Sequence, residues 1–212
     1  VEPFIRNDQF NFIKDQALVL ANSHASVNDK AVLSAIKSLS EEKVMNLFSN
    51  INEEQKQLLA PISAIKDKTN VEDFLSQLKP FVIPFKKVTE QSLKKLFPKV
   101  KKLKAPFLES VDFREISYLG WIDKGSNKKF IVAEKNDKLI GLQGSYTILN
   151  KKNVCALCGR HEEVGLFLSE TKGAVRDTFF KRGNYICQDS TKCNQNLLSL
   201  DKLNEFIERI GK

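Results

Sequence analysis

The sequence predicts an α+β protein: an N-terminal antiparallel helical bundle, followed by an α/β domain with an antiparallel sheet and a small cysteine-bearing module. Three observations predict it. Apolar residues recur every three or four positions through residues 1–80, the spacing of helices buried on one face. From Ile116 the pattern changes to short β-branched and aromatic runs divided by turn residues. All four cysteines of the 212 residues fall in one segment, as Cys155-x2-Cys158 and, after a gap of 28 residues, Cys187-x5-Cys193.

In the first region, Phe10, Ile13, Ala17, Leu20 and Ala21 form one stripe of a first helix, with His24 near its end as a surface residue. Asn28-Asp29 caps a second helix carrying Val32, Leu33, Ile36 and Leu39, and Ser40 is expected to cap a third, "EEKVMNLF". Its early glutamates suit the positive end of a helix dipole. "NEEQKQLLAPISAI" opens on Asn52 and Gln55, a variant capping box, and Pro61 should end or kink that helix. A further helix, "NVEDFLSQLKPFV", is expected to start at Asn70. Pro80 and Pro84 in "LKPFVIPFKK" mark a boundary, giving domains at 1–80 and 81–212.

The second region opens with a short helix and a basic segment, "TEQSLKKLFPKVKKLKAP". Lys86, Lys87, Lys94, Lys95, Lys99, Lys101, Lys102 and Lys104 stand there against the single acid Glu90, while Leu93, Leu96, Phe97, Val100 and Leu103 can pack inward. "ISYLGWID", "KKFIVAE" and "KLIGLQGSYTIL" read as a three-stranded meander with Trp121 in its core. "VGLFLSE" and "TFFKRGNYICQ" supply two more strands, and "SLDKLNEFIERI" a closing amphipathic helix.

Charge divides along the same line. Residues 1–79 hold nine basic and eleven acidic side chains, against 25 and 15 in the remainder of a chain with net charge +8. The basic part implies an anionic partner: nucleic acid, ribosome, membrane surface or acidic protein. There is no apolar run of about 20 residues for a membrane-spanning helix, and no charged-then-apolar leader, so a cytoplasmic protein with reduced thiols is expected.

Under reducing conditions, paired cysteines at this spacing read as metal ligands before disulfides. Four thiolates close the tetrahedral shell of one structural Zn2+. The C-x2-C pair forms a knuckle, and Gly159 follows where a positive φ is needed. The second pair runs from a strand through an Asp-Ser turn into a helix, with Cys193 in the first turn, where the dipole favours thiolate. Knuckle, hairpin and strand-turn-helix make a treble-clef-like four-cysteine zinc finger, spanning about residues 153–198. An iron–sulfur cluster is the other metal reading. His161 stands three residues past Cys158, but the four cysteines already complete the shell. No Ser-His-Asp, H-E-x-x-H or phosphate-loop arrangement is present, and a non-enzymatic role is expected.

"EISYLGW", "SNKKFIV", "CALC", "KRGNYICQDS" and "KCNQNL" together resemble the FusB-type family of elongation factor G-binding proteins, which confer resistance to fusidic acid. The resemblance spans essentially the whole chain and is strongest from about residue 112, with echoes in "VNDK" and "LFPKVKKLKAP". It implies a helical N-terminal bundle, a C-terminal α/β domain with one zinc, and binding to elongation factor G mainly through that second domain. It further implies release of the factor from ribosomes on which fusidic acid has locked it, the drug itself surviving. The family's partner-binding positions on the finger fall at Val154, Arg182 and Tyr185. The family has an aromatic, a lysine and a tyrosine there, so only Tyr185 matches in type. The competing class is an RNA- or ribosome-binding zinc-finger protein, since lysine clusters and treble clefs also serve nucleic acid.

Overall fold

The computed structural model describes residues 1–172 and 179–210 and divides into two compact units, Val1–Ile83 and Pro84–Lys212. The first unit is helical: α1 (Asn7–Ser26), α2 (Lys30–Met45), α3 (Glu53–Leu59) and α4 (Lys68–Leu78), with 3-10 turns at Ala60–Ala64 and Lys79–Phe81. Helix α1 buries Ile13, Ala17, Leu20 and Ala21 against Val44, Leu59, Ile62, Val71, Phe74 and Leu78. His24 is exposed at its end. Asp29 caps α2 through the amides of Ala31 and Val32. The predicted capping box of Asn52 and Gln55 is present at α3, and Pro61 lies in the 3-10 turn that ends it.

Two helix starts differ from the sequence reading. Ser40 caps nothing: α2 runs through it to Met45, because Ser40 is small enough to be buried in mid-helix while Val44 joins the core one turn later. That continuous register leaves Val32 and Leu39 about half exposed. Helix α4 is capped by Asp67 and starts at Lys68 rather than at Asn70; the Asp67 carboxylate accepts the Asn70 amide, and the Asn70 side-chain oxygen accepts the Lys66 amide.

In the second unit, Thr89 and Ser92 make a capping box that starts α5 (Glu90–Leu96). The sheet is one five-stranded antiparallel meander in the order β1-β2-β3-β4-β5: Leu119–Asp123, Lys128–Lys135, Lys138–Val154, His161–Lys172 and Phe179–Cys187. Thr178, the first residue predicted for the last strand, lies outside the described residues. Asn136 and Asp137, both with positive φ, form a two-residue turn between β2 and β3 whose twist suits a hairpin. Strand β3 runs to Val154, well past the predicted "KLIGLQGSYTIL", with a register shift between Ile148 and Lys151.

The sheet is covered on both faces. Phe130 and Val132 of β2 face α5 residues Leu93 and Leu96 and the neighbouring Phe97. Trp121, half-buried on that face, stacks on Phe130 at 5.0 Å, and its indole N–H donates to the Lys104 carbonyl at 2.8 Å. All eight lysines of the basic segment are exposed. Ile131 and Ala133 face the other way, into a core with the cysteines and with Leu203, Phe206, Ile207 and Ile210 of the closing helix α7 (Asp201–Ile210). In the chain, the short helix α6 (Ser190–Gln195) comes between β5 and α7.

Candidate metal centre and finger surface

The knuckle is built from backbone hydrogen bonds. The Cys155 amide donates to the Arg160 carbonyl at 2.9 Å, and the Gly159 amide to the Cys155 carbonyl at 2.8 Å. Gly159 takes φ +71, as the turn requires, and a Cβ there would lie 2.8 Å from the Lys202 side chain. Strand β5 delivers Cys187. Asp189 then caps α6 through the amides of Thr191 and Lys192, so that Cys193 reaches the cluster from the first turns of a helix. Asn194 locks this helix to the sheet. It is buried, its carbonyl oxygen accepts the amides of Ser117 and Tyr118, and its NH2 donates to the carbonyls of Tyr118 and Ser190. On the solvent side, Glu162 of β4 pairs with Lys192 at 2.7 Å and accepts from Asn196.

The four sulfurs lie within 4.8 Å of one another, and three of the four residues are buried. Cys155 Sγ and Cys193 Sγ are 3.8 Å apart, Cys158 Sγ and Cys187 Sγ 3.7 Å. A tetrahedron of sulfurs at about 2.3 Å from zinc has edges of about 3.8 Å, so the spacing fits one ion. The amides of Leu157 and Cys187 donate to Cys155 Sγ at 3.4 and 3.3 Å, as donors to a thiolate should. Hydrogen bonds from Cys158, Cys187 and Cys193 hold Cys155 far below the usual thiol range, and the same crowding pushes Cys187 and Cys193 far above it. Four thiolates therefore cannot share this volume unless a cation stands between them. The donor set fits zinc, with all four positions filled by protein, which makes the site structural rather than open to substrate. His161 is exposed at the start of β4 and is not in the cluster.

Several residues around the sulfurs were not singled out from sequence. Lys129 is fully buried, and its Nζ donates to the carbonyls of Cys187 at 2.8 Å and Gln188 at 3.0 Å. Burial pulls its pKa down to about 8, against the negative charge of Cys193, Cys187, Cys155 and Asp189. The Tyr146 hydroxyl donates to the next carbonyl back, that of Ile186, at 3.0 Å. The buried Tyr118 hydroxyl lies beside Cys193 and Ser190 without a well-formed hydrogen bond among the described residues; burial, then the charge of Cys193, pushes Tyr118 well above the ordinary phenol range. The "KK" of "SNKKFIV" looks like the polar end of a strand. What hides its second lysine is the covering of both faces of β2.

The three expected partner-binding residues have different settings. Val154 ends β3 and is 53% exposed. Arg182 is half-buried and donates to the Arg209 carbonyl at 2.9 Å, placing a cation at the C-terminal end of α7, where the helix dipole favours it. Tyr185 is half-buried with the Lys151 ammonium 5.6 Å from its ring centroid, a cation–π contact. Further along β5 the adjacent Phe179 and Phe180 are 55% and 56% exposed, an aromatic pair the sequence reading treated only as strand.

Comparison with known proteins places both units. The model of the N-terminal region of elongation factor G-binding proteins matches residues 4–86, and that of the FBP C-terminal treble-clef zinc finger matches residues 95–208. The chain belongs to the FusB-type family of elongation factor G-binding proteins. A solved structure of the fusidic acid resistance protein FusC is similar to this FusB-type chain, with 31% identity, a TM-score of 0.87 and 98% of each chain covered. No curated protein sequence matches the chain. The treble clef of this family is the arrangement already described: knuckle, β4–β5 hairpin and α6 around one structural zinc. No described helix is long and apolar enough to cross a membrane.

Proposed function

We propose that this FusB-type protein binds elongation factor G without catalysing a reaction, and that it promotes release of the factor from ribosomes stalled by fusidic acid. The observation that carries this reading is the match of both family regions, in order, along one chain. Cys155, Cys158, Cys187 and Cys193 are the proposed zinc ligands, and the metal holds the strand that carries Arg182 and Tyr185. Val154, Arg182 and Tyr185 are the proposed contact residues, joined by the exposed Phe179 and Phe180. Aromatic and arginine side chains dominate binding energy where they become desolvated, whereas the exposed lysines speed encounter with an acidic surface.

Release demands a difference in affinity. A protein that bound free and ribosome-locked factor equally well would shift nothing, so it must favour the free or departing form. The test is to lock elongation factor G on ribosomes with fusidic acid, add the protein, and sediment the ribosomes. The factor should move to the supernatant while mass spectrometry finds the drug intact. Factor that stays in the pellet sinks the proposal, and consumption of the drug would make the protein an enzyme. The eight exposed lysines favour one second reading, direct RNA binding. Under that reading the complex with purified factor disappears after nuclease treatment.

A further inference from the structure

A four-thiolate zinc centre carries a net charge of −2, and three of its four ligand residues are buried here. Such a charge needs compensation close by. Lys129 is the buried ammonium on the finger side of the sheet, in line with Ile131 and Ala133, and it is 0% exposed. Its contacts are two main-chain carbonyls and the face of the Tyr146 ring, 5.0 Å from Nζ; no carboxylate pairs with it among the described residues. A fully desolvated ammonium without an anionic partner would be costly. Carbonyl dipoles and a ring quadrupole soften that cost but carry no net charge. The negative charge acting on it is that of the cysteine cluster, whose Cys187 carbonyl it holds at 2.8 Å, with a smaller contribution from the Asp189 carboxylate.

We propose that Lys129 is the built-in counter-charge of the zinc–thiolate centre and a positioning residue for its third ligand. The positioning follows from one peptide segment. The Cys187 carbonyl is held by Lys129 at 2.8 Å, while the Cys187 amide donates to Cys155 Sγ at 3.3 Å. With Tyr146 on the Ile186 carbonyl, three successive carbonyls, 186 to 188, are fixed from β2 and β3. Charge and orientation thus come from the same side chain.

This inference rests on the zinc reading, so metal content of the wild type is measured first; a wild type without zinc refutes that reading and this one together. Given one zinc per chain, two variants separate charge from hydrogen bonding. Lys129→Met removes both, whereas Lys129→Gln keeps a donor for the carbonyls and removes only the charge. Zinc loss from the full chain is followed with a competing chromogenic chelator. Both variants should release zinc about tenfold faster or more, the usual consequence of losing an outer-shell partner. In cobalt-substituted protein, the thiolate-to-metal charge-transfer band should move to longer wavelength in both, since losing a nearby positive charge raises the sulfur electrons in energy. If Lys129→Met does not fold, Lys129→Gln decides alone. Wild-type release and an unmoved band in Lys129→Gln would overturn the counter-charge role, even if Lys129→Met released zinc quickly.

Discussion

Replacing Cys155 by serine perturbs the finger at the most connected of its proposed ligands. Cys155 is fully buried, lies 3.8 Å from Cys193 Sγ, and accepts hydrogen bonds from two amides, those of Leu157 and Cys187. A serine hydroxyl is a neutral acceptor where the thiolate was a charged one, a difference of about 1–1.5 kcal/mol for each bond, so the two together cost about 2–3 kcal/mol before the lost metal–sulfur bond is counted. At about 1.4 kcal/mol per decade, zinc affinity should fall by at least about 10–10²-fold. Chelator competition measures that fall directly. Denaturant unfolding followed by Trp121 measures its structural consequence, because the only tryptophan sits in the second unit, stacked on Phe130. Its midpoint should drop, since metal binding and folding of such a module are one equilibrium. Wild-type zinc affinity with an unshifted tryptophan transition would refute the reasoning.

Phe206→Ala removes a buried ring that meets Phe167 at 5.7 Å, and should cost about 3–5 kcal/mol in the same unfolding assay; a loss well under 1 kcal/mol would contradict its place in the core. Asn194→Ala removes the acceptor of the Ser117 and Tyr118 amides, and losing the buried bond to Tyr118 alone should cost about 1–3 kcal/mol, so the tryptophan midpoint should fall. An unchanged midpoint would show that water replaces the asparagine. Zinc affinity should weaken as pH falls from mildly alkaline to mildly acidic, because protons compete for the sulfurs. A flat profile would argue against thiolate ligands.

Local rules carried far where the chemistry was local. Asn52 with Gln55 and Asp29 cap helices as their side chains dictate, and Gly159 adopts the positive φ that the knuckle demands. The cysteine spacing alone pointed to the cluster, since knuckle, hairpin and helix start are short-range features. Ser40 and Asn70 misled because a capping residue type is necessary but not sufficient. Burial of Ser40 in mid-helix and the presence of Asp67 three residues before Asn70 decided those positions. Lys129 and Tyr118 were illegible for a different reason. Their roles depend on which strand face the finger covers, and that is set by contacts distant in sequence, such as Asn194 to Tyr118, 76 residues apart. Arg182 is a mixed case: its charge is plain in sequence, but its bond to the end of α7 belongs to the tertiary fold.

The most direct measurement is a calorimetric titration of zinc-loaded, nuclease-treated protein with purified elongation factor G, wild type beside Tyr185→Ala. A saturable complex is expected that survives the nuclease and weakens by about 1–3 kcal/mol in the variant, with zinc content unchanged. No complex once RNA is gone would contradict factor binding, and equal affinity of the two proteins would remove Tyr185 from the contact surface.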